Sequence, residues 1–401
     1  MRILLADSLP APAVARLEAA GDEVWVNGDL TADALGDELA GIEVLVVRST
    51  KVTAEALANA DELALIVRAG AGTNTIDTAK AAELGIFVCN VPGKNALAVA
   101  ELAIGLLISV DRHIASATAD LRDGKWNKKA YSKAEGLFGR TLAIIGLGDI
   151  GIAVAERATA FGLDVIAVDK SSRSAAAVER AEQAGVRFVA STDDLLAEAD
   201  IVSLHVPGGP DTKGMVDAAF LAKMRDETIL INTSRGDVVD EAALIAAMNG
   251  RGMKAGLDVF ADEPGSGTGE FSSPLGRHPS VVATHHVGAS TEQAQDAVAQ
   301  GTIDAIDAYR TGEVTNCVNM ETVPERAATL SIRHQDRVGV LAAVLAILRG
   351  SDLNVSTMSN KVFAGAKAAV ATIDVARVPD AEILEQIKSH EHVINVSVQL
   401  A

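Results

Sequence analysis

Three short stretches in the second half of the chain gather side chains able to do chemistry. Arg235 lies in NTSRGDVVDE, Glu263 in GLDVFADEP, and His285 and His286 in ATHHVGAST. Each stretch begins where an apolar, strand-like run ends. Oxidising an alcohol to a ketone by hydride transfer needs a base for the hydroxyl proton, and histidine's ordinary pKa suits that task near neutral pH. A carboxylate on the second ring nitrogen fixes the tautomer and stabilises the imidazolium. An arginine's planar fork can capture a substrate carboxylate and hold it beside the reacting carbon. Arg235, Glu263 and His286 fill these three roles together. Taken singly, each also has a plain reading: a surface arginine, a surface glutamate, a core histidine.

A hydride needs an acceptor, and the stretch from Thr141 to Asp169 describes a site for one. An apolar run, Leu142 to Ile145, is cut by Gly146, Gly148 and Gly151 before a helical segment and a second apolar run that ends on Asp169. In this pattern the first glycine makes the tight turn, the second lets a pyrophosphate approach the backbone, and the third lets helix and sheet pack closely. The helix N-terminus offers unpaired N–H groups to the phosphates. Asp169 stands where a carboxylate accepts from a ribose diol, and its charge opposes a 2′-phosphate, which favours NAD over NADP. Lys170 and Arg173 lie close enough to soften that preference.

These residues are positioned by alternating strands and helices. Up to about residue 90 the strand candidates are Ile3–Ala6, Glu23–Val26, Val44–Val47, Leu65–Val67 and Ile86–Val88, with helical stretches between them. Continuous apolar strands alternating with helices indicate a parallel sheet, and ligands lie outside the carboxyl ends of such strands. Arg48 with Ser49, and Arg68, fall at two of those ends, either as solvated loop arginines or as anion-capturing groups. One long helix is expected from Asn95 to Ile114. It is followed by a basic segment holding Trp126, Lys128, Lys129 and Tyr131, which reads as a plain connector or as a reach toward a ligand or partner. The second domain should hold a six-stranded doubly wound sheet, and a helix from Ser290 to Arg310 should return to the first domain. The last stretch has a βαββαβ order, that of a small ferredoxin-like module.

Composition narrows the class. The chain has 401 residues, 49% of them hydrophobic and only 3% aromatic. Its net charge of −19, from 35 basic and 54 acidic residues, disfavours nucleic acid or an anionic membrane as a partner. Positive charges facing an anionic ligand must then be local, so single arginines and lysines become informative. The start, MRILLAD, lacks a basic n-region, so no signal peptide is expected. The apolar segment Ala96–Val110 is interrupted by Glu101 and is too short to span a bilayer. Cys89 and Cys317 lie far apart in sequence without ligand spacing, which suggests a reducing compartment and argues against a metal site. A cytoplasmic protein is the expectation.

With these motifs in hand, residues 1 to about 315 resemble the D-isomer-specific 2-hydroxyacid dehydrogenases. GLGDIG with Asp169, SRGDVVDE, DVFADEP and HVGAST carry the likeness in that order. The resemblance implies a flavodoxin-like substrate domain (1–94 and 290–315), a Rossmann NAD domain (95–289), a linker (316–326) and a C-terminal module (327–401). It implies Arg235, Glu263 and His286 as the catalytic set, His286 being chosen over His285 by the pattern H-x-G-x-x-T with Gly288 and Thr291. Arg48, Ser49, Arg68, Asn95 and Arg235 would contact substrate. Gly146, Gly148, Asp149, Ile150, Gly151, Asp169, Val206, Pro207, Thr212, Thr233, Ser234, Arg235, Asp258, His286 and Gly288 would line NAD. The expected substrate is a small anionic 2-hydroxy acid, foremost 3-phosphoglycerate, with Arg48, Lys51, Lys128 and Lys129 as candidates for its phosphate. Hydroxypyruvate, glyoxylate and 2-oxoglutarate are alternatives, and an NAD(H)-sensing binding protein is a reading from another class.

The last module resembles an ACT domain, a regulatory fold. Family members that bind serine there use a histidine and two asparagines; this chain has His334, Asp336 and Asn354 at those places. Aspartate cannot donate to an effector carboxylate and repels it, so serine control and a purely structural module both stand. The resemblance also implies a homodimer at least, with a tetramer as the alternative.

Overall fold

A computed structural model describes residues 1–264, 268–321 and 326–401. The chain forms two compact units, Met1–Asn319 and Met320–Ala401. Residues 322–325 of the expected linker lie outside the described residues.

The first unit contains two parallel sheets. One joins β1 (Arg2–Leu5), β2 (Glu23–Val26), β3 (Val44–Val47), β4 (Leu65–Arg68) and β5 (Phe87–Asn90) in the order β2-β1-β3-β4-β5. That is the flavodoxin-like order. Central β3 is buried along its whole length, as expected of a strand covered on both faces. The other sheet joins β6 (Thr141–Ile145), β7 (Asp164–Val168), β8 (Val186–Val189), β9 (Ile201–Leu204), β10 (Ile229–Asn232), β11 (Lys254–Leu257) and β12 (Val281–Ala283). Its order is β12-β11-β10-β9-β6-β7-β8, seven strands rather than the expected six, because short β12 pairs in parallel with the edge of β11. The strand order reverses between β6 and β9, which places the ligand crevice at their carboxyl ends.

Two helices tie the sheets together. Ala96–Asp111 leaves the first sheet and buries Ala103, Ile104, Leu106, Leu107 and Val110 in the core of the second. It stops earlier than expected: His113 takes a left-handed conformation, and a separate helix runs from Ile114 to Arg122. Glu292–Arg310, capped by the Thr291 side chain, returns and packs Ala299, Ile303 and Ile306 against Leu5, Val46 and Val67 of the first sheet. Truncating Ile303 or Ile306 to alanine would cost about 2–5 kcal/mol at such sites.

Residues 316–319, expected as linker, instead cling to edge strand β5. The Asn90 amide donates to the Asn316 carbonyl (3.2 Å) and the Val318 amide to the Val88 carbonyl (2.8 Å). The Asn319 side chain completes the graft, accepting from the Val88 amide (2.9 Å) and donating to the Ile86 carbonyl (2.8 Å). Cys89 and Cys317, remote in sequence, face each other across this bridge.

In the second unit, β13 (Ala328–Gln335), β14 (Val355–Val362), β15 (Ala368–Val375) and β16 (Val393–Leu400) form an antiparallel sheet in the order β14-β15-β13-β16. Helices Val340–Gly350 and Ala381–Lys388 cover one face, with Val344, Leu348, Ile383 and Ile387 in its core. This is the expected βαββαβ module.

Candidate active site

Three loops at carboxyl ends of the second sheet build the site. After β10, the Asn232 side chain ties the turn: its Oδ1 accepts from the Ser234 amide (3.0 Å) and hydroxyl (2.7 Å), and its Nδ2 donates to the Arg235 carbonyl (2.9 Å). Gly236 follows, and a Cβ there would strike the Phe260 carbonyl. Only glycine lets the arginine loop lie this close to the loop that carries Glu263. The guanidinium of Arg235 extends to Gly72, in the loop after β4, so the arginine faces the first sheet.

Glu263 and His286 meet directly. The Glu263 Oε2 lies 2.6 Å from His286 Nδ1, and its Oε1 accepts the Phe260 amide (2.9 Å). Burial alone would raise this carboxyl, but hydrogen bonds from His286 and the Phe260 amide, together with the charge of Arg235, hold it below the usual carboxylate range. An Nδ1–H donating to Glu263 leaves Nε2 as the acceptor. That is the arrangement a general base needs. His285 is exposed and is not the ring paired with Glu263.

Asp258 is buried, and its acceptors are taken by the histidine loop. Oδ1 receives the Thr284 hydroxyl (2.6 Å) and the Val287 amide (2.9 Å), Oδ2 the Gly288 amide (2.8 Å), and its carbonyl the His286 amide (2.8 Å). His286 itself has φ 54°, an unfavourable region for a side chain of its size, so this clasp maintains a strained loop.

The nucleotide cradle lies beside these loops. Gly146 has φ 103°, and a Cβ would collide with the His205 carbonyl, so β6 and β9 close on each other only because it is glycine. Gly148 precedes the helix Asp149–Ala160 without a side-chain cap, leaving the first amides, those of Asp149, Ile150 and Gly151, for an anion. The Asp149 carboxylate, at the same end, is neutralised by Arg180 (2.8 Å). Asp169 stands exposed after β7, with Arg173 4.0 Å away donating to the Val168 carbonyl and stacked over Phe188. The Thr233 hydroxyl is buried without a hydrogen-bond partner among the described residues. Thr212 closes its own turn by donating to the Pro207 carbonyl (2.7 Å), with Val206 and Pro207 along the β9 exit. His205, which no sequence motif singles out, has a buried Nδ1 without a partner among the described residues, and its Nε2 lies 2.8 Å from the Ser203 hydroxyl. Burial pushes that imidazole down to about 4.

On the first sheet, the amides of Arg48, Ser49 and Thr50 all donate to Asp7 Oδ2 (2.7, 3.0 and 3.0 Å). That carboxylate fills the backbone nest and leaves the Arg48 side chain as the group for a ligand. Burial, and then repulsion from Arg235 and Arg48, lower Arg68 to about 10, with Asp7 opposing. Its Nε is buried and has no hydrogen-bond partner among the described residues. Arg48, Arg68 and Arg235 thus form one cationic cluster. Asn95 begins its helix without spending its side chain on a cap. Lys51, Lys128 and Lys129 are exposed, and the Tyr131 hydroxyl is spent on Asp120 (2.7 Å). In the C-terminal module His334 is buried, its ring nitrogens facing the Gln335 carbonyl (2.7 Å) and Asn360 Oδ1 (3.1 Å), whereas Asp336 and Asn354 are exposed.

The family model for D-isomer specific 2-hydroxyacid dehydrogenase, NAD binding domain, matches residues 104–288. A hydroxypyruvate reductase from Thermotoga maritima is 44% identical over 277 residues, covering 68% of this chain and 87% of that protein. The chain belongs to this family. The matched residues are its NAD-binding domain, and the glycine turn, free helix amides, exposed Asp169 and unpartnered Thr233 hydroxyl fit that cofactor. A D-3-phosphoglycerate dehydrogenase from Methanocaldococcus jannaschii is 39% identical over 328 residues, 81% of this chain; the chain spans 60% of that relative's length. A solved structure of a Thermus thermophilus protein superposes with a TM-score of 0.70 at 32% identity, over 79% of this chain and 100% of that one.

In this chain Asn232, Gly236, Asp7 and Asp258 hold the loops that carry Arg235, Arg48 and His286. Among the described residues, no helix is long and apolar enough to cross a membrane.

Proposed function

We propose that this chain oxidises D-3-phosphoglycerate to 3-phosphohydroxypyruvate with NAD, the entry step to serine, in the cytoplasm. The observation that carries the substrate assignment is the cluster of Arg48, Arg68 and Arg235 on a chain of net charge −19. One arginine answers a carboxylate. Two more, one with a buried unpartnered N–H, answer a second anionic group such as a phosphate. NAD supplies the hydride acceptor. Arg235 holds the carboxylate and orients the 2-carbon, and His286 Nε2 takes the hydroxyl proton. Glu263, through Nδ1, stabilises the imidazolium that results.

A second reading, reduction of an unphosphorylated 2-oxo acid such as hydroxypyruvate or glyoxylate, is favoured by the similarity to a hydroxypyruvate reductase along most of that protein. Following NADH with 3-phosphoglycerate, 3-phosphohydroxypyruvate, hydroxypyruvate, glyoxylate and 2-oxoglutarate separates the two. Under the first reading Arg48→Ala and Arg68→Ala each raise KM for 3-phosphoglycerate by about tenfold or more, the loss of one charge-assisted contact. An unchanged KM for both variants removes the phosphate assignment. No turnover with any of these acids points to an NAD(H)-sensing protein instead.

A homodimer is part of the proposal. Leu97, Ile114, Leu121, Trp126 and Phe138 are large, apolar and exposed on the two helices after β5 and the segment that follows. Sedimentation velocity of the full chain tests it. A monomer at micromolar concentration rejects it.

A further inference from the structure

Cys89 lies in β5 and Cys317 in the strand-like graft on its edge, and the hydrogen-bond pattern between them is informative. The bonds run from the Val318 amide to the Val88 carbonyl (2.8 Å) and from the Asn90 amide to the Asn316 carbonyl (3.2 Å). Both flank the cysteines, so Cys89 and Cys317 form a non-hydrogen-bonded antiparallel pair. Such pairs have Cα atoms about 4.5 Å apart with side chains on the same face. A disulfide needs a separation of about 4.4–6.8 Å. Both cysteines are free thiols, Cys89 buried and Cys317 partly exposed.

We propose that Cys89 and Cys317 are a reversible disulfide site, formed by exchange with a small-molecule disulfide, that clamps residues 316–319 onto β5. Cys317 is the residue an oxidant can reach. Its thiolate attacks one sulfur of the small disulfide, that S–S bond breaks, and one small thiol leaves with the proton given up by Cys317. The Cys89 sulfur then attacks Cys317 Sγ and displaces the second small thiol, which carries away the proton of Cys89. Two protein thiols lose two electrons, and one small disulfide becomes two thiols. Burial, and then the neighbouring Cys317, push the Cys89 thiol up to about 12, so the second step is the slow one and quickens as pH rises.

The clamp acts on a contact that is otherwise made by few groups. The Cys317 thiol donates to Asn319 Oδ1 (3.2 Å), and that oxygen also holds the Val88 amide, 231 residues away in the chain. A covalent bond at this point closes a long loop and restrains the chain where it leaves the first unit.

The full-length chain is equilibrated with mixtures of oxidised and reduced glutathione at mildly alkaline pH, quenched with acid, alkylated and digested. The expected product is a peptide pair joined through Cys89 and Cys317, lost again on addition of dithiothreitol. Cys317→Ser should give neither that pair nor a glutathione adduct, and Cys89→Ala should stop at an adduct on Cys317. In the oxidised wild type the amides of Asn90 and Val318 should exchange with deuterium about tenfold more slowly than in the reduced protein. The proposal is overturned if wild type accumulates the Cys317 adduct without closing. It is equally overturned if both thiols remain alkylatable under a poise that oxidises the urea-unfolded chain, or if amide exchange is the same in both states. Should Cys89→Ala fail to fold, the wild-type peptide map decides.

Discussion

Asp258 holds His286 in place through the backbone: its carbonyl accepts the His286 amide at 2.8 Å, while its carboxylate collects the next two amides and the Thr284 hydroxyl. The aspartate is buried and the histidine half exposed, so in the proposed mechanism one residue is the anchor and the other the working end. Asp258→Asn keeps the shape but turns one acceptor into a donor facing an amide. The variant should lose about 1–3 kcal/mol of stability, the cost of a buried group left unsatisfied. It should also lower kcat more than it raises KM, because the imidazole and not the binding surface is displaced. Urea midpoints together with steady-state kinetics test this; an unchanged kcat would sink the anchor role.

Glu263 and His286 give a second expectation. Glu263→Gln preserves a hydrogen-bonding partner for Nδ1 but removes the charge that answers the imidazolium. The rate should fall by about 10²–10⁴-fold, the usual worth of a positioned acid–base system. The Glu263 carboxyl is held below its usual range, so the stability it contributes is present above its unfolded pKa and is lost as pH falls through the folded one. Glu263→Gln should therefore flatten the acid side of the stability profile as well as slow the reaction. A variant with wild-type turnover leaves the catalytic pairing without support.

Much of this arrangement was legible in the sequence because strands ending in polar residues mark the ligand edge of a parallel sheet. Arg235, Glu263 and His286 each follow an apolar run, and the glycines of GLGDIG have a mechanical reading. What was hidden depends on which loops meet. The clasp by Asp258 is made mostly of main-chain amides, and nothing in its side-chain type distinguishes anchoring a loop from contacting a cofactor. Asp7 fills the amide nest at 48–50 from the loop after β1, 41 residues before Arg48. The break at His113 carries no glycine or proline to announce it. Cys89 and Cys317 meet only because the chain returns along Glu292–Arg310 and lays residues 316–319 on β5, a pairing invisible to local periodicity.

His205 should leave a mark on the pH profile of stability. Its imidazole is held neutral, with the folded pKa lowered to about 4 by burial, against about 6.5 in an unfolded chain. Between those values the unfolded state binds the extra proton, so stability is complete above about pH 6.5 and declines as pH falls toward 4. The contribution reaches up to about 3 kcal/mol, at 1.36 kcal/mol per pKa unit. His205→Gln is expected to be less stable than wild type at neutral pH, with the gap narrowing by that amount on acidification. Parallel urea titrations across the range test it; a constant gap would show that this ring is not the proton acceptor.

The ion pair between Asp149 and Arg180 bears on cofactor affinity. A carboxylate in the first turn of the helix Asp149–Ala160 sits at the end proposed to receive the pyrophosphate, and like charge there is unfavourable. Arg180, 2.8 Å away on the helix Ala175–Gln183, offsets it. Both side chains are about half exposed, so the effect should be modest and should weaken with salt. Arg180→Ala is expected to raise the Kd for NAD by about three- to tenfold at low ionic strength, which corresponds to roughly 1 kcal/mol. The double variant Asp149→Asn with Arg180→Ala should recover most of the loss, because the charge that needed an answer is gone. Calorimetric titration with NAD reads both. If the double variant binds no better than Arg180→Ala alone, the arginine acts by some route other than neutralising Asp149.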